Sequence, residues 1–260
     1  MPVSASGASA STAPAGPVSA STGPAPATPA VQHLVVRYAK RGKMRFASHR
    51  DVARAFERGV RRAGLPIAYS AGFTPHPKIS YPGGAPTGVA SEAEYLSLAL
   101  TARQAETQVC QRLNAALPDG IDVIEVTDED QAKRASTSFG HLEASEWEVV
   151  LPGVGPEAAG RAVAAFLARG EAPVERLTDK GVRRLDARAA VIEMSVSVAA
   201  TSNEDCSILR MVVLHTAPTV RPDDVLTALR GQDGIEPSSP PMTTRLAQGP
   251  RALLAGEGAS

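Results

Sequence analysis

Between residues 34 and 126, short β-type runs and helical stretches follow one another in the order β-α-β-β-α-β, and no other feature constrains the fold as strongly. Residues 34–38, Leu-Val-Val-Arg-Tyr, read as a strand, a basic turn surrounds Gly42, and residues 44–46 are expected to resume or extend the strand. A helix is predicted to start at Ser48, which has capping-box spacing to Asp51. Val52, Ala55, Phe56, Gly59, Val60 and Ala63 recur at helical spacing and form its buried stripe. Gly64 and Pro66 end it. Residues 78–81 and 95–100 are expected strands, residues 102–117 a helix closed by Pro118-Asp-Gly, and residues 121–126 a further strand. This order is the split βαβ, ferredoxin-like plan.

The second half repeats the order loosely. Residues 147–151 read as a strand and residues 156–169 as a helix with proline in its first turn. Residues 174–177 suggest a short strand, and residues 187–198 and 207–215 two β-branched strands. Residues 222–230 follow as a helix opened by two aspartates, and residues 243–246 as a last strand. The expected class is α+β, with two ferredoxin-like halves in tandem. Residues 31–130 form the first domain, 131–144 a linker, 145–250 the second domain and 251–260 a flexible end. Residues 1–30 hold only Met, Pro, Val, Ser, Ala, Gly and Thr, too little apolar surface to offset ordering, and are expected to be a disordered tail. The tail has neither the basic start nor the apolar core of a secretory signal. No run of 18 apolar residues is present, which excludes a transmembrane helix and, with only two cysteines (Cys110 and Cys206), points to a cytoplasmic protein.

A net charge of zero, 27 basic against 27 acidic residues, hides a dipolar layout. Residues 37–84 carry 11 Lys/Arg and only Asp51 and Glu57 as acids, whereas residues 85–160 carry 13 acids and 4 bases. The basic segment also holds six of the ten aromatics, so it reads as an anion-binding surface unless the two segments neutralise each other in the fold. Arg50, Arg54, Arg58, Arg61 and Arg62 fall within an arc of roughly 120° on the capped helix, beside its apolar stripe. Guanidinium forks suit phosphate bidentately, though a solvated helix face would look the same. Downstream, two prolines bracket His76 in Gly72-Phe-Thr-Pro-His-Pro-Lys78, a loop stiff enough to present Phe73, His76 and Lys78 to a base and a phosphate. Residues 81–88, Tyr-Pro-Gly-Gly-Ala-Pro-Thr-Gly, look like a flexible loop.

His49 and His76 could form an acid/base pair of a metal-independent ribonuclease, but no third catalytic group accompanies them. His49, His76, His141 and His215 lack metal-ligand spacing, so neither metal nor cofactor is expected. Gly153-x-Gly155-x-x-Ala158 imitates a dinucleotide fingerprint, but Pro156 removes an amide that would face the pyrophosphate.

Arg37-Tyr-x-Lys40, Phe46-x-Ser48-His49-x-Asp51, Arg61-Arg-Ala-Gly-Leu-Pro66, Ser70-x-Gly72-Phe73-x-Pro75-His76-Pro77-Lys78 and Gly88-x-x-Ser91-x-x-Glu94 stand in this order. Together they resemble an uncharacterised bacterial domain family associated with radical SAM proteins, fused to them or encoded beside them. Lys180-Gly-x-x-Arg184-x-Asp186-x-Arg188 looks like a second motif of that family. The resemblance implies a radical SAM enzyme as partner in trans, and gene neighbours of ribonuclease and ribosomal type imply RNA. The chain itself lacks the CxxxCxxC cluster motif. The expectation is an accessory subunit that recognises RNA, with tRNA or rRNA as the candidates, or another polyanion. It would use Arg37, Lys40, Lys43, Ser48, Arg50, Arg54, Arg58, Arg61, Arg62, Phe73, His76 and Lys78, with Lys180, Arg184, Asp186 and Arg188 as second-half candidates. The alternatives are the ribonuclease built on His49 and His76 and a protein-only adaptor for the radical SAM enzyme.

Overall fold

The computed structural model describes residues 26–135, 141–179, 181–198, 206–233 and 235–254. Lys180 and most of the expected tail therefore lie outside the described residues. Among the described residues the chain is α+β: one eight-stranded mixed sheet, a separate two-stranded hairpin and seven α-helices.

In the N-terminal half, β1 (Gln32–Lys40) leads through a 3-10 turn (Gly42–Phe46) into α1 (His49–Arg62), followed by β2 (Ile79–Ser80), β3 (Ala90–Leu100), α2 (Glu106–Asn114) and β4 (Ile121–Asp128). β1 lies between β3 and β4, antiparallel to both, and β2 pairs antiparallel with β3. The strand expected at residues 44–46 is a 3-10 turn instead. Gly42 takes a φ of +53°, the Met44 amide donates to the Arg41 carbonyl, and the Arg41 amide is held by the Gly120 carbonyl, which turns the chain out of the ladder. The α2 helix begins later than residue 102 because Gln32 and Gln104 exchange side-chain to backbone hydrogen bonds that hold the approach to the helix in a non-helical course. The Ser48–Asp51 capping box forms, and Val52, Ala55, Phe56, Gly59 and Val60 of α1 are buried. They pack with Leu34, Val36 and Tyr38 of β1 and Leu96, Leu98 and Leu100 of β3. Phe56 meets the Tyr38 ring edge-on at 4.7 Å.

After α3 (Glu129–Arg134), the second half runs β5 (Ala144–Pro152), α4 (Pro156–Leu167), β6 (Pro173–Thr178), β7 (Gly181–Asp186), α5 (Ala187–Ala190), β8 (Val191–Val198), β9 (Cys206–Leu214), α6 (Pro222–Asp233), β10 (Met242–Gly249) and α7 (Arg251–Leu254). The first turn of the strand expected at 187–198 is helical, because the Asp186 carboxylate caps it by accepting from the Arg188 and Ala189 amides. Part of the stretch expected to be a flexible end is α7. Phe166 of α4, Leu229 of α6 and Trp147, Leu209 and Met211 of the strands belong to a second core. Gly153, at φ +74°, makes the β5–α4 turn, where a Cβ would stand 2.6 Å from the Ser238 hydroxyl.

The path through the sheet is β4-β1-β3-β10-β5-β9-β8. The halves meet where β10 runs parallel to β3, over two residue pairs only, Thr244 with Ala90 and Arg245 with Ser91.

Candidate functional site

The α1 helix turns its apolar stripe to the first core and exposes Arg50, Arg54, Arg58, Arg61 and Arg62. Asp51 lies 3.9 Å from Arg54, while Arg61 and Arg62 donate to the carbonyls of Glu57 and Ala116. Six acids of the following segment are spent elsewhere: Glu92 and Asp122 on Arg41, Glu129 and Asp130 on Lys133, Glu146 and Glu148 on Arg210. Among the described residues, no carboxylate pairs with Arg50, Arg58, Arg61 or Arg62 within 4.0 Å. The adjacent segments thus do not cancel on this face, and its positive charge stands in solvent. Hydrogen bonds from the Ser48 hydroxyl and amide hold the Asp51 carboxyl below the ordinary carboxylate range, with Arg54 and Arg50 adding to the effect.

Beyond α1 the loop of residues 69–80 closes on itself. Tyr69 bridges to Pro77, the Ser70 amide donates to the His76 carbonyl at 2.9 Å, and the Ser70 hydroxyl accepts the His76 amide at 3.0 Å. His76 is exposed and Phe73 keeps 82% of its surface in solvent, so the loop presents both a bare ring and an imidazole to solvent. Lys78 is tied back to the Thr28 carbonyl at 3.3 Å. The His49 ring stands edge-on to Tyr81 at 5.6 Å, and Tyr81 donates to the Ala53 carbonyl of α1. Among the described residues no hydrogen bond or ring contact links His49 to His76.

Three other candidates occupy different places. Lys43 is exposed on the 3-10 turn. Arg37 lies across the sheet from α1, lining a small cavity with Tyr95 and Glu125 and donating to the Glu92 carbonyl. Lys40 is only 3% exposed and cannot meet a macromolecular ligand.

Lys40 instead belongs to a buried charge cluster that composition and spacing did not reveal. Its ammonium donates to the carbonyls of Ala85 and Pro86 at 3.1 and 3.3 Å. Glu94, also 3% exposed, accepts the Ala85 amide at 3.0 Å. Arg245 of β10, 4% exposed, donates to the Gly83 carbonyl at 3.0 Å and approaches Glu94 Oε1 at 3.5 Å. The loop that reads as flexible is therefore held along its backbone by three charged side chains. Arg245 also lies over the Trp147 ring, 4.7 Å from its centroid. Burial pulls Lys40 and Arg245 below their ordinary basic ranges, against the pull of Glu94, and it pushes the Tyr38 hydroxyl up. Glu94 was visible as the last residue of a motif, but Arg245 had no sequence signal beyond a charge within an expected strand.

In the second half, Arg184 pairs with Glu175 at 2.8 Å on the exposed β6–β7 hairpin. Asp186 Oδ1 accepts the amides of Ala172 and Arg188, and Arg188 donates to the carbonyls of Leu167 and Val191. Those last two side chains join α4, α5 and β8 to one another.

No helix among the described residues is long and apolar enough to cross a membrane. No curated protein matches the chain. Among solved structures, one described as an unknown protein from Galdieria sulphuraria shares 15% identity, with 82% of this chain and 98% of that chain covered and a TM-score of 0.23. A family described as an uncharacterised protein conserved in bacteria, DUF2344, matches residues 33–222, from the start of β1 to the start of α6, and the chain belongs to it.

Proposed function

We propose that the protein is a recognition subunit that binds RNA, or another polyanion of the same charge spacing, on the exposed face of α1 and the adjoining loop of residues 69–80, and that it serves a radical SAM enzyme in trans. The observation that carries this reading is the arginine face of α1, on which, among the described residues, Arg54 alone has a carboxylate within 4.0 Å, that of Asp51. Arg50, Arg54, Arg58 and Arg61 project from one helix while the neighbouring acids bind Arg41, Lys133 and Arg210. Arginine forks engage phosphates, and Phe73, with its ring in solvent, suits stacking on an unpaired base. The partner enzyme rests on the motifs of residues 37–94 and their resemblance to domains encoded with radical SAM proteins. In the same reading each half follows the split βαβ plan. The orders β4-β1-β3-β2 and β10-β5-β9-β8 support it, with the β6–β7 hairpin inserted after the first helix of the second half.

The test is binding of tRNA and rRNA fragments to the full chain across a salt series. Affinity should fall steeply with salt, by about 0.7 in the log–log slope for each phosphate contact on single strands. Arg54→Glu with Arg58→Glu should weaken binding at least tenfold and flatten that slope, while the circular dichroism spectrum stays unchanged. Salt-insensitive binding, or none, removes the reading. Cleavage of RNA by the pure protein, lost in His49→Ala or His76→Ala, would replace it with the ribonuclease.

A further inference from the structure

Where β3 meets β10, a cavity of about 410 Å³ opens against Arg245 and Trp147. Its walls come from both halves: the loop at Gly83, Gly84 and Pro86 on one side, Val213 and Val220 on the other, with Arg221 and His215 at hand. That volume lies in the range of ligand sites, roughly 300–1,000 Å³. Among the described residues no carboxylate lines it.

The charges around it do not balance. Lys40 and Arg245 are both buried and share Glu94 as their one buried carboxylate. A surplus positive charge is thus held out of water beside an open space, an arrangement that an entering anion relieves. Arg245 spends Nη1 on the Gly83 carbonyl, its Nε has no hydrogen-bond partner, and Nη2 makes no hydrogen bond among the described residues. The guanidinium plane is fixed on one side by the Trp147 ring. Other groups facing the cavity are already committed. His215 Nδ1 must donate to the Leu142 carbonyl at 2.6 Å, since a carbonyl only accepts, and Nε2 then accepts the Ser145 hydroxyl at 2.7 Å. Burial lowers the His215 pKa, in keeping with a neutral ring. The N-terminus of α6 is closed by its own Asp224, which accepts the Arg221 amide at 2.7 Å and pairs with Arg176. Arg245, Arg221 and an apolar wall are what remain.

We propose that this cavity binds a small organic anion, its carboxylate or phosphate on Arg245 and Arg221 and its apolar body against Val213 and Val220. The site is separate from the arginine face of α1 and does not depend on it.

Trp147 is the sole tryptophan of the sequence, so its fluorescence reports on the cavity wall directly. The full chain is titrated at fixed ionic strength with phenyl phosphate and benzoate, with benzyl alcohol and benzylamine as neutral and cationic counterparts, and with inorganic phosphate. Phenyl phosphate or benzoate should change the emission saturably, and the neutral and cationic compounds should not. Arg221→Gln should weaken binding about tenfold, the loss of one charge-assisted contact. Thr219→Phe, at the rim, should abolish it with the melting temperature retained. Both variants leave the buried cluster of Lys40, Glu94 and Arg245 intact. Arg54→Glu with Arg58→Glu should leave this binding unchanged. No saturable response to either organic anion, or an equal response to benzyl alcohol, overturns the proposal. Equal affinity for inorganic phosphate overturns the assignment of an organic ligand.

Discussion

Replacing Glu94 by Gln tests the buried charge cluster directly. The carboxylate is 3% exposed, accepts the Ala85 amide and faces the Arg245 guanidinium at 3.5 Å, with Lys40 on the same loop backbone. At that separation and an effective dielectric of about 20, the Coulomb attraction of the single pair is about 5 kcal/mol. The carboxylate's own desolvation opposes it, so the pair as a whole stabilises by much less than that figure. The amide of glutamine preserves shape and can still accept from Ala85. It removes the charge, however, and leaves two buried cations facing each other with no acid between them. Breaking a buried pair from one side costs about 3–5 kcal/mol, because the remaining charge is uncompensated. For a chain of this length a loss of about 4 kcal/mol lowers the melting temperature by roughly 8–16 °C. Urea unfolding followed by circular dichroism measures it. Adding Arg245→Met to Glu94→Gln should recover part of the loss, since it removes one orphaned cation. A loss under 1 kcal/mol for Glu94→Gln would show that water or local rearrangement compensates the cations, and the charge-surplus argument would fall with it.

Other outcomes follow from local geometry. Ser48→Ala should cost about 1 kcal/mol in chemical unfolding, through loss of the α1 cap. Because its native pKa is depressed, the Asp51 carboxylate stabilises the fold at pH values above its unfolded pKa, and that contribution disappears as pH falls through the native one. Unfolding of Asp51→Asn and of the parent chain should accordingly converge in acid and diverge at neutral pH. Gly120→Ala should destabilise by about 2 kcal/mol, since φ is +87° there and a Cβ would lie 2.7 Å from the Arg41 carbonyl. Asp186→Ala should cost about 1–2 kcal/mol by releasing the amides of Ala172 and Arg188, read by thermal melting.

Local signals carried the sequence reading as far as local chemistry decides structure. The α1 helix was legible because its cap, apolar period and glycine stop all agree over one short stretch. Most strands were legible as β-branched runs, but β7 was not expected, because Gly-Val-Arg-Arg-Leu-Asp carries only two apolar side chains and forms a strand by pairing with β6. The strand expected at residues 44–46 failed because its fate depends on Gly120, more than seventy residues away, whose carbonyl takes the Arg41 amide. The helical start of residues 187–190 was hidden by β-branched neighbours and set by one carboxylate, Asp186. Among the site candidates, the exposed arginines follow from helical period alone. The burial of Lys40 could not be read the same way, because the bulge in β1 between Tyr38 and Lys40 shifts the register at the strand end.

The seam between the halves shows why such a site escapes local reading. Two residue pairs of parallel ladder join β3 to β10, too few to fix how one half-sheet meets the other. The remaining specification falls to side chains: Lys40 and Glu94 from the first half and Arg245 from the second, each bonded to the backbone of residues 83–86. Buried charges are poor sources of net stability but strongly penalise wrong arrangements, since any slip leaves one of them unpaired. An apolar seam would tolerate sliding, whereas this one has a single arrangement in which Glu94 reaches both Arg245 and the Ala85 amide. Gly84 of the same loop packs closely against both α1 and the carboxylate: a Cβ there would stand 3.1 Å from the His49 ring and 3.6 Å from Glu94. The residues that read as slack in the sequence thus form the part of the chain on which the two halves are registered.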